Sequence, residues 1–355
     1  RDIANMGFAR QANVPVCLIG DIEKGGVIAS LVGTKAVIDP DDATLIGGFL
    51  VNKFRGDPRL FDAGVTEIET RTGWPCFGVI PWLTATARLP AEDAVALSKP
   101  DDTRQGALQI AAPMLSRLAN FDDADPIKAE PGVSFTWVPP GRALPRTADL
   151  IILFGSKSTL GDLAFLREQG WDHDIIAHAR GGGRVLGICG GYQMLGRRID
   201  DPYGVDGAPG TADGLGLLDV ETRMTTEKRV APVSGVCART GEAISGYEIH
   251  MGRTTGQDTS RPFAHIGKGV AAKGADGATS ANGKVQGTYF HGVFTNDGFR
   301  RAWLADAGAQ TDPSLNYGAE VERALDALAD GLEAAVDIDA LLGLAKHPHA
   351  NPTPQ

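Results

Sequence analysis

Short apolar runs alternate with helix-like stretches through the first hundred residues of the chain. Val14–Ile19 (VPVCLI) ends at Gly20-Asp21, and Ile46–Lys53 (IGGFLVNK) follows a Gly-rich polar segment and a helical stretch. Phe61–Thr72 reads as a helix closed by Gly73, and Trp74–Ile80 as a strand stopped by Pro81. Strands separated by helices predict a parallel sheet covered on both faces. From Leu89 to about Gly106 the chain turns polar and carries Pro90, Pro100 and Asp101-Asp102, the composition of a linker. Alternation resumes with strands near Leu108–Ala112, Val133–Val138, Asp149–Leu153 and Arg184–Ile188, and helices Leu160–Gln169 and Asp172–Arg180. β segments follow at Gly214–Thr222, Ala243–Met251 and Lys284–Phe294, with a Gly- and Ala-rich loop at Gly267–Lys284 and an amphipathic helix through Glu320–Ala345. The pattern predicts an α/β protein of two domains, 1–100 and 106–345, with a tail at 346–355.

A length of 355 residues also favours two cores over one. Hydrophobic content of 43% and charged content of 22% fit a globular enzyme. A net charge of −10 counts against nucleic acid as a partner. No apolar run reaches the ~18 residues of a membrane-spanning helix. Cys17, Cys76, Cys189 and Cys237 have neither disulfide-framework nor metal-ligand spacing, which predicts a reducing, cytoplasmic setting and leaves any metal unassigned. The chain opens on Arg1-Asp2 without an initiator Met or signal-peptide pattern, as expected for a polypeptide cut inside a domain, or else for a processed mature protein.

The sharpest local signal is RVLGICGGYQMLG, Arg184–Gly196. A strand ends at Cys189 and a helix begins within two residues, so Gly187-x-Cys189-x-Gly191 has the form of a nucleophile elbow with Cys in place of Ser. Such a turn lifts the side chain clear of the sheet, and the helix N-terminus favours a thiolate and a developing oxyanion. A thiolate nucleophile needs a base. His291, at the end of the strand GTYFHGVF, is the candidate, and His250 in GYEIHMG is its competitor. His173, His178, His265, His347 and His349 lie on a surface helix, a loop border and a Pro-rich tail, away from any such constellation. The strand–turn–helix Leu153–Lys157 (LFGSK) offers backbone N–H groups, so Gly155 and Gly190 are the oxyanion-hole candidates.

These segments, GICGGYQMLG, GYEIHMG, GTYFHGVF and GSK, resemble the cobyric acid synthase branch of the cobalamin-pathway glutamine amidotransferases. Upstream, DIANMGF, GDIEKGGVIAS, VNKFRGD and GVIPWL are similar to the synthetase domain of that family, and NFDDADP (Asn120–Pro126) to the opening of its glutaminase half. The resemblance implies part of a dethiobiotin-synthetase-like, P-loop NTPase-type parallel-sheet domain, followed by a class I glutamine amidotransferase domain of flavodoxin-like α/β form. It implies a glutaminase that works through a Cys189 thioester with His291 as base. It also implies an amidoligase that uses ATP and Mg²⁺, without a prosthetic group, to activate carboxylates for attack by ammonia. The product would be cobyric acid, formed by amidating four peripheral carboxylates (b, d, e, g) of adenosylcobyrinic acid a,c-diamide. Glutamine, ATP and a corrinoid are the partners it implies, and a homo-oligomer stays open.

The sequence departs from the family in places. No GxxxxGK[ST] occurs among the 355 residues, so this polypeptide is expected to act as a glutaminase alone. Related amidotransferases carry Glu two residues after the catalytic His, where Val293 stands here, and nothing in the sequence identifies what orients His291. Phe154 takes the place of a usual Pro and is expected to alter the turn slightly, and Lys24 takes the place of a frequent Arg. Asp21, Asn52 and Lys53, at strand ends of a parallel sheet, are candidates for nucleotide, Mg²⁺ or substrate contact, although Asp21 would serve equally as a turn residue. Competing readings are a cobyrinic acid a,c-diamide synthase, the glutaminase partner of a cell-wall amidotransferase, a non-catalytic corrinoid- or nucleotide-binding module, and a cysteine hydrolase of the related peptidase type.

Overall fold

The computed structural model describes residues 2–89, 107–267 and 274–346, which form two units, Arg1–Leu89 with Ala319–Gln355, and Pro90–Gly318. Apart from Leu89 and Lys346, the expected linker up to residue 106 and the tail with its histidines lie outside the described residues.

In the first unit, strands β1 (Val16–Asp21), β2 (Ile46–Phe54) and β3 (Cys76–Pro81) form a parallel sheet in that order. Helix α1 (Asn5–Ala12) precedes them, α2 (Val27–Val37), α3 (Pro40–Ala43) and α4 (Asp62–Thr72) connect them, and Gly73 closes α4 in the left-handed conformation. The alternation of β2 divides its side chains between two cores. Phe49 and Val51 join Leu31 of α2 and Ile68 of α4, while Leu50 joins Phe77, Ile80 and Val336.

That second core changes the domain assignment. Residues 106–345 were expected to form one domain, yet the segment from Ala319 groups with the first unit. The reason is hydrophobic: Leu332, Ala335, Leu341 and Leu344 cover the Leu50 face of the sheet, which would otherwise stand in water. The expected helix Glu320–Ala345 is also two helices, Tyr317–Ala335 and Ile338–Lys346. Val336 between them extends to bridge Gly78, where an added Cβ would stand 2.1 Å from the Ala335 carbonyl oxygen. Only glycine admits that approach.

The second unit holds a six-stranded sheet built from β4 (Leu108–Pro113), β6 (Val133–Val138), β7 (Leu150–Leu153), β9 (Arg184–Ile188), β16 (Ala278–Thr279) and β17 (Val285–Thr288). Its order is β16-β17-β9-β7-β4-β6, parallel except for β16. A two-stranded ladder pairs β5 (Leu118–Ala119) with β8 (Gly155–Ser156). A further, mainly antiparallel sheet contains β10 (Arg198–Asp201), β11 (Gly210–Asp213), β12 (Glu221–Cys237), β13 (Ala243–Thr255), β14 (Ala264–Ile266), β15 (Gly274–Asp276) and β18 (Phe290–His291). Helices α5 (Asp125–Lys128), α6 (Thr159–Glu168), α7 (Trp171–Arg180), α8 (Gly190–Leu195) and α9 (Asp297–Ala307) complete this unit.

One β expectation and one loop expectation failed locally. Gly214–Val220 is not strand, because Leu215 and Leu217 donate their N–H groups to Met194 and Leu195, satisfying the last carbonyls of α8. The Gly267–Lys284 loop contains β15 and β16 among its described residues.

Candidate active site

Strand β9 delivers the elbow. Cys189 has φ 54° and ψ −110°, a left-handed conformation that costs energy for a side-chain-bearing residue and here aims the thiol out of the sheet. Its neighbours must be glycine. A Cβ on Gly191 would stand 2.0 Å from the Leu153 carbonyl oxygen, and one on Gly187 2.6 Å from Tyr192 N. The turn is held by Cys189 N–H donating to the Thr288 carbonyl at 2.8 Å.

Strand β18 places His291 beside it, fully buried. Nδ1 pairs with Asp123 Oδ2 at 2.7 Å, and Asp123 Oδ1 accepts the Gly292 N–H at 2.6 Å. The acid missing at Val293 is therefore supplied from a segment 168 residues earlier in the chain. Nε2 is buried without a hydrogen-bond partner, leaving that nitrogen for proton exchange with the thiol. In this conformation Sγ lies near the ring and hydrogen-bonds the Ile249 carbonyl at 3.4 Å. Burial by itself would weaken His291 as a base; the bond to Asp123 and the nearby Cys189 sulfur outweigh it and push its pKa up to about 10. Tyr247 stacks on the imidazole, with ring centroids 5.2 Å apart, and its hydroxyl accepts a hydrogen bond from Asn120 Nδ2 at 2.7 Å.

Asp123 is the residue that sequence reasoning missed. Its signal was present in NFDDADP, where Asp122, Asp123 and Asp125 crowd a short turn, but nothing local says which carboxylate faces the histidine. His250 lies apart from the His291–Asp123 pair, with Nε2 3.8 Å from Glu248. It stacks on Tyr289 with centroids 3.9 Å apart, and Nδ1 binds the Gly252 carbonyl at 2.9 Å. His178 is tied to the Arg184 carbonyl at 2.9 Å, and His265 is exposed on β14. Phe154 is buried against Trp137, with ring centroids 5.2 Å apart.

Strand β8 runs beside the elbow. A Cβ on Gly190 would lie 3.0 Å from Ser156 N, and one on Gly155 would lie 3.5 Å from His291 Cε1. In the β5–β8 ladder Ala119 opposes Gly155, and Lys157 N–H donates to the Arg117 carbonyl at 2.9 Å. Antiparallel alternation then turns the Gly155 N–H toward Ala119 and the Ser156 N–H away from the ladder.

In the first unit, Asp21 and Asn52 are paired neighbours at the carboxyl ends of β1 and β2. Lys53 Nζ binds Asp21 Oδ2 at 2.8 Å, its backbone is left-handed (φ 66°), and its N–H donates to Asn52 Oδ1 at 2.8 Å. Asn52 and Lys53 border a cavity of about 510 Å³ lined by Trp82, Leu83, Leu332 and Leu341. Asp21 Oδ1 is taken by the Glu23 N–H at 3.0 Å, and no group of three or more His, Cys, Asp or Glu side chains able to hold a metal gathers among the described residues. These residues do not by themselves make a magnesium site.

Residues 109–299 match the family model of the CobB/CobQ-like glutamine amidotransferase domain, and residues 2–96 that of the CobQ/CobB/MinD/ParA nucleotide binding domain. Fold and site thus define an enzyme that uses glutamine as a nitrogen donor, joined to a nucleotide-binding domain. Curated relatives called cobyric acid synthase are 62% identical in Hyphomonas neptunium (98% of this chain, 69% of that protein) and 61% identical in Paracoccus denitrificans (98% and 70%). A third, in Cereibacter sphaeroides, is 60% identical over 97% of this chain and 70% of that protein. The chain belongs to the cobyric acid synthase family. Among the described residues no helix is long and apolar enough to cross a membrane.

Proposed function

We propose that the second unit hydrolyses glutamine with Cys189 as nucleophile, His291 as acid and base, and Asp123 as the group that orients the imidazole. The observation that carries this reading is the buried His291–Asp123 pair, which leaves Nε2 unpartnered beside the thiol. Asp123 accepts at Nδ1 and so assigns the exchangeable proton to Nε2.

Sγ, having given its proton to Nε2, attacks the side-chain carbonyl carbon of glutamine. The oxygen takes up negative charge against backbone N–H groups at Gly190 and the Gly155–Ser156 strand. Nε2 returns the proton to the leaving nitrogen, the C–N bond breaks, and ammonia departs from a γ-glutamyl thioester. Water then attacks the thioester, losing a proton to Nε2; the C–S bond breaks, Nε2 returns the proton to Sγ, and glutamate is released.

The ammonia is destined for ATP-dependent amidation of the b, d, e and g carboxylates of adenosylcobyrinic acid a,c-diamide, in cobalamin biosynthesis. Residues 1–355 supply the ammonia-producing half of that chemistry. At the edge of the first unit, Lys53 and Asp21 are suited to phosphate or substrate polar groups, and Asn52 to a nucleotide base, beside the cavity they border. Magnesium would enter with ATP.

The test is glutamate release from glutamine by the purified chain, alongside Cys189→Ala. The substitution is expected to lower the rate by about 10⁴-fold or more. Equal rates for the two proteins would end the reading.

A further inference from the structure

The reaction described above does not use Asp162, a fully buried carboxylate in the first turn of α6. Asp162 Oδ1 accepts Ser116 Oγ–H at 2.6 Å and Arg117 N–H at 3.0 Å, and Oδ2 accepts Ser156 Oγ–H at 2.6 Å. These donors are two hydroxyls and a peptide N–H, all neutral. Burying a carboxyl group is costly even when it is hydrogen-bonded, so it is an expensive way to tie a turn.

What it ties is specific. Ser116 and Arg117 lead into β5 and Ser156 ends β8, so one side chain fastens both strands of the ladder beside Cys189. Ser156 Oγ is in turn the acceptor for Ser158 N–H at 2.9 Å, which fixes the turn that follows. The ladder engages the Gly155 N–H with Ala119, and the nitrogen close to Gly190 is that of Ser156.

Resting on the glutaminase reading, we propose that Asp162 is a positioning residue of the oxyanion site. By holding Ser116, Arg117 and Ser156 it sets the Ser156 N–H beside the Gly190 N–H, where the thioester-forming oxygen becomes charged. Gly155 then serves as the small residue that lets β8 pass His291, and the second donor lies one residue further on. A carboxylate is required because three donors converge on two acceptor oxygens. Asparagine offers one oxygen and adds two N–H groups, so either the Arg117 N–H loses its acceptor or the Ser156 hydroxyl must turn to accept where it now donates, and in both cases the fastening of the ladder changes.

The experiment compares wild type, Asp162→Asn, Ser156→Ala and the double variant in two assays. One is steady-state glutamine hydrolysis; the other is the rate of Cys189 alkylation by iodoacetamide, followed by peptide mass spectrometry. Alkylation needs the thiolate and no oxyanion hole. Loss of one oxyanion donor costs about 10²–10³ in kcat. A misplaced donor in Asp162→Asn is expected to approach that loss, with KM changed by less than about threefold and alkylation by less than about twofold. Ser156→Ala should show a smaller loss of the same kind, and the double variant should be no slower than Asp162→Asn, since both act through one contact. Unchanged kcat in Asp162→Asn, or kcat and alkylation falling together, would overturn the proposal. Should Asp162→Asn fail to fold, full kcat in Ser156→Ala does the same. A wild type that releases no glutamate removes the glutaminase reading and this proposal with it.

Discussion

The two units each hold a pair of oppositely charging side chains, but in opposite environments. His291 and Asp123 have side chains 0% and 2% exposed, whereas Lys53 and Asp21 remain 41% and 32% exposed. In the second unit a buried acid fixes one ring nitrogen and frees the other, so the pair has a single chemical assignment. In the first, lysine and aspartate neutralise one another in solvent, an arrangement that a ligand can rearrange at little cost. Catalysis by charge needs preorganisation, and binding a polar ligand does not.

Asp123→Asn should produce the largest break in this contrast. The amide keeps the volume but cannot hold the imidazolium, and kcat for glutamine should fall by roughly 10²–10⁴, with glutamate release as the readout. A loss below threefold would put both regions in the same class.

The pH dependence of stability sharpens the contrast further. His291 binds its proton more tightly when folded, with a pKa near 10 against about 6.5 unfolded. Its contribution is complete below about pH 6.5 and is lost as pH rises through about 10. Asp21 has the opposite sign. Hydrogen bonding to Lys53 holds its carboxyl below the usual range, so its contribution is present above the unfolded pKa and lost on acidification. Thermal unfolding of Asp123→Asn between pH 7 and 10 should therefore be flatter than that of the wild type.

The smallest effect is expected from Lys53→Ala. An exposed pair contributes little to stability, and glutamine hydrolysis in the other unit should stay within about twofold. A larger loss of glutaminase activity would mean that the two regions are coupled.

Legibility divided along the same line as the chemistry. The elbow could be read because the glycines it needs, Gly187 and Gly191, are written beside Cys189, even though the contact that excludes a Cβ at Gly191 is with Leu153 on β7. His291 followed from its place at a strand end, and the three strands of the first unit from their apolar runs. Helix Phe61–Thr72 with its Gly73 cap was equally local. Asp123 was not legible, because NFDDADP presents several equivalent acids and the choice depends on a strand 168 residues away. The position of the last helices was hidden for a related reason. Their amphipathic pattern announces an apolar face without naming the surface that will cover it.

By itself, then, the sequence determined the candidate nucleophile and base, the family and the alternation of strands and helices. The family rests on the resemblance of several motifs, and the others on steric or periodic rules acting over a few neighbouring residues. Only the tertiary structure decided that Asp123 completes the site, that Asp162 fastens the strand beside it, and that residues beyond Ala319 cover the first sheet. Those are pairings between distant segments, and burial selects them: a carboxylate or an apolar helix face finds its partner only when the whole chain has excluded water from both.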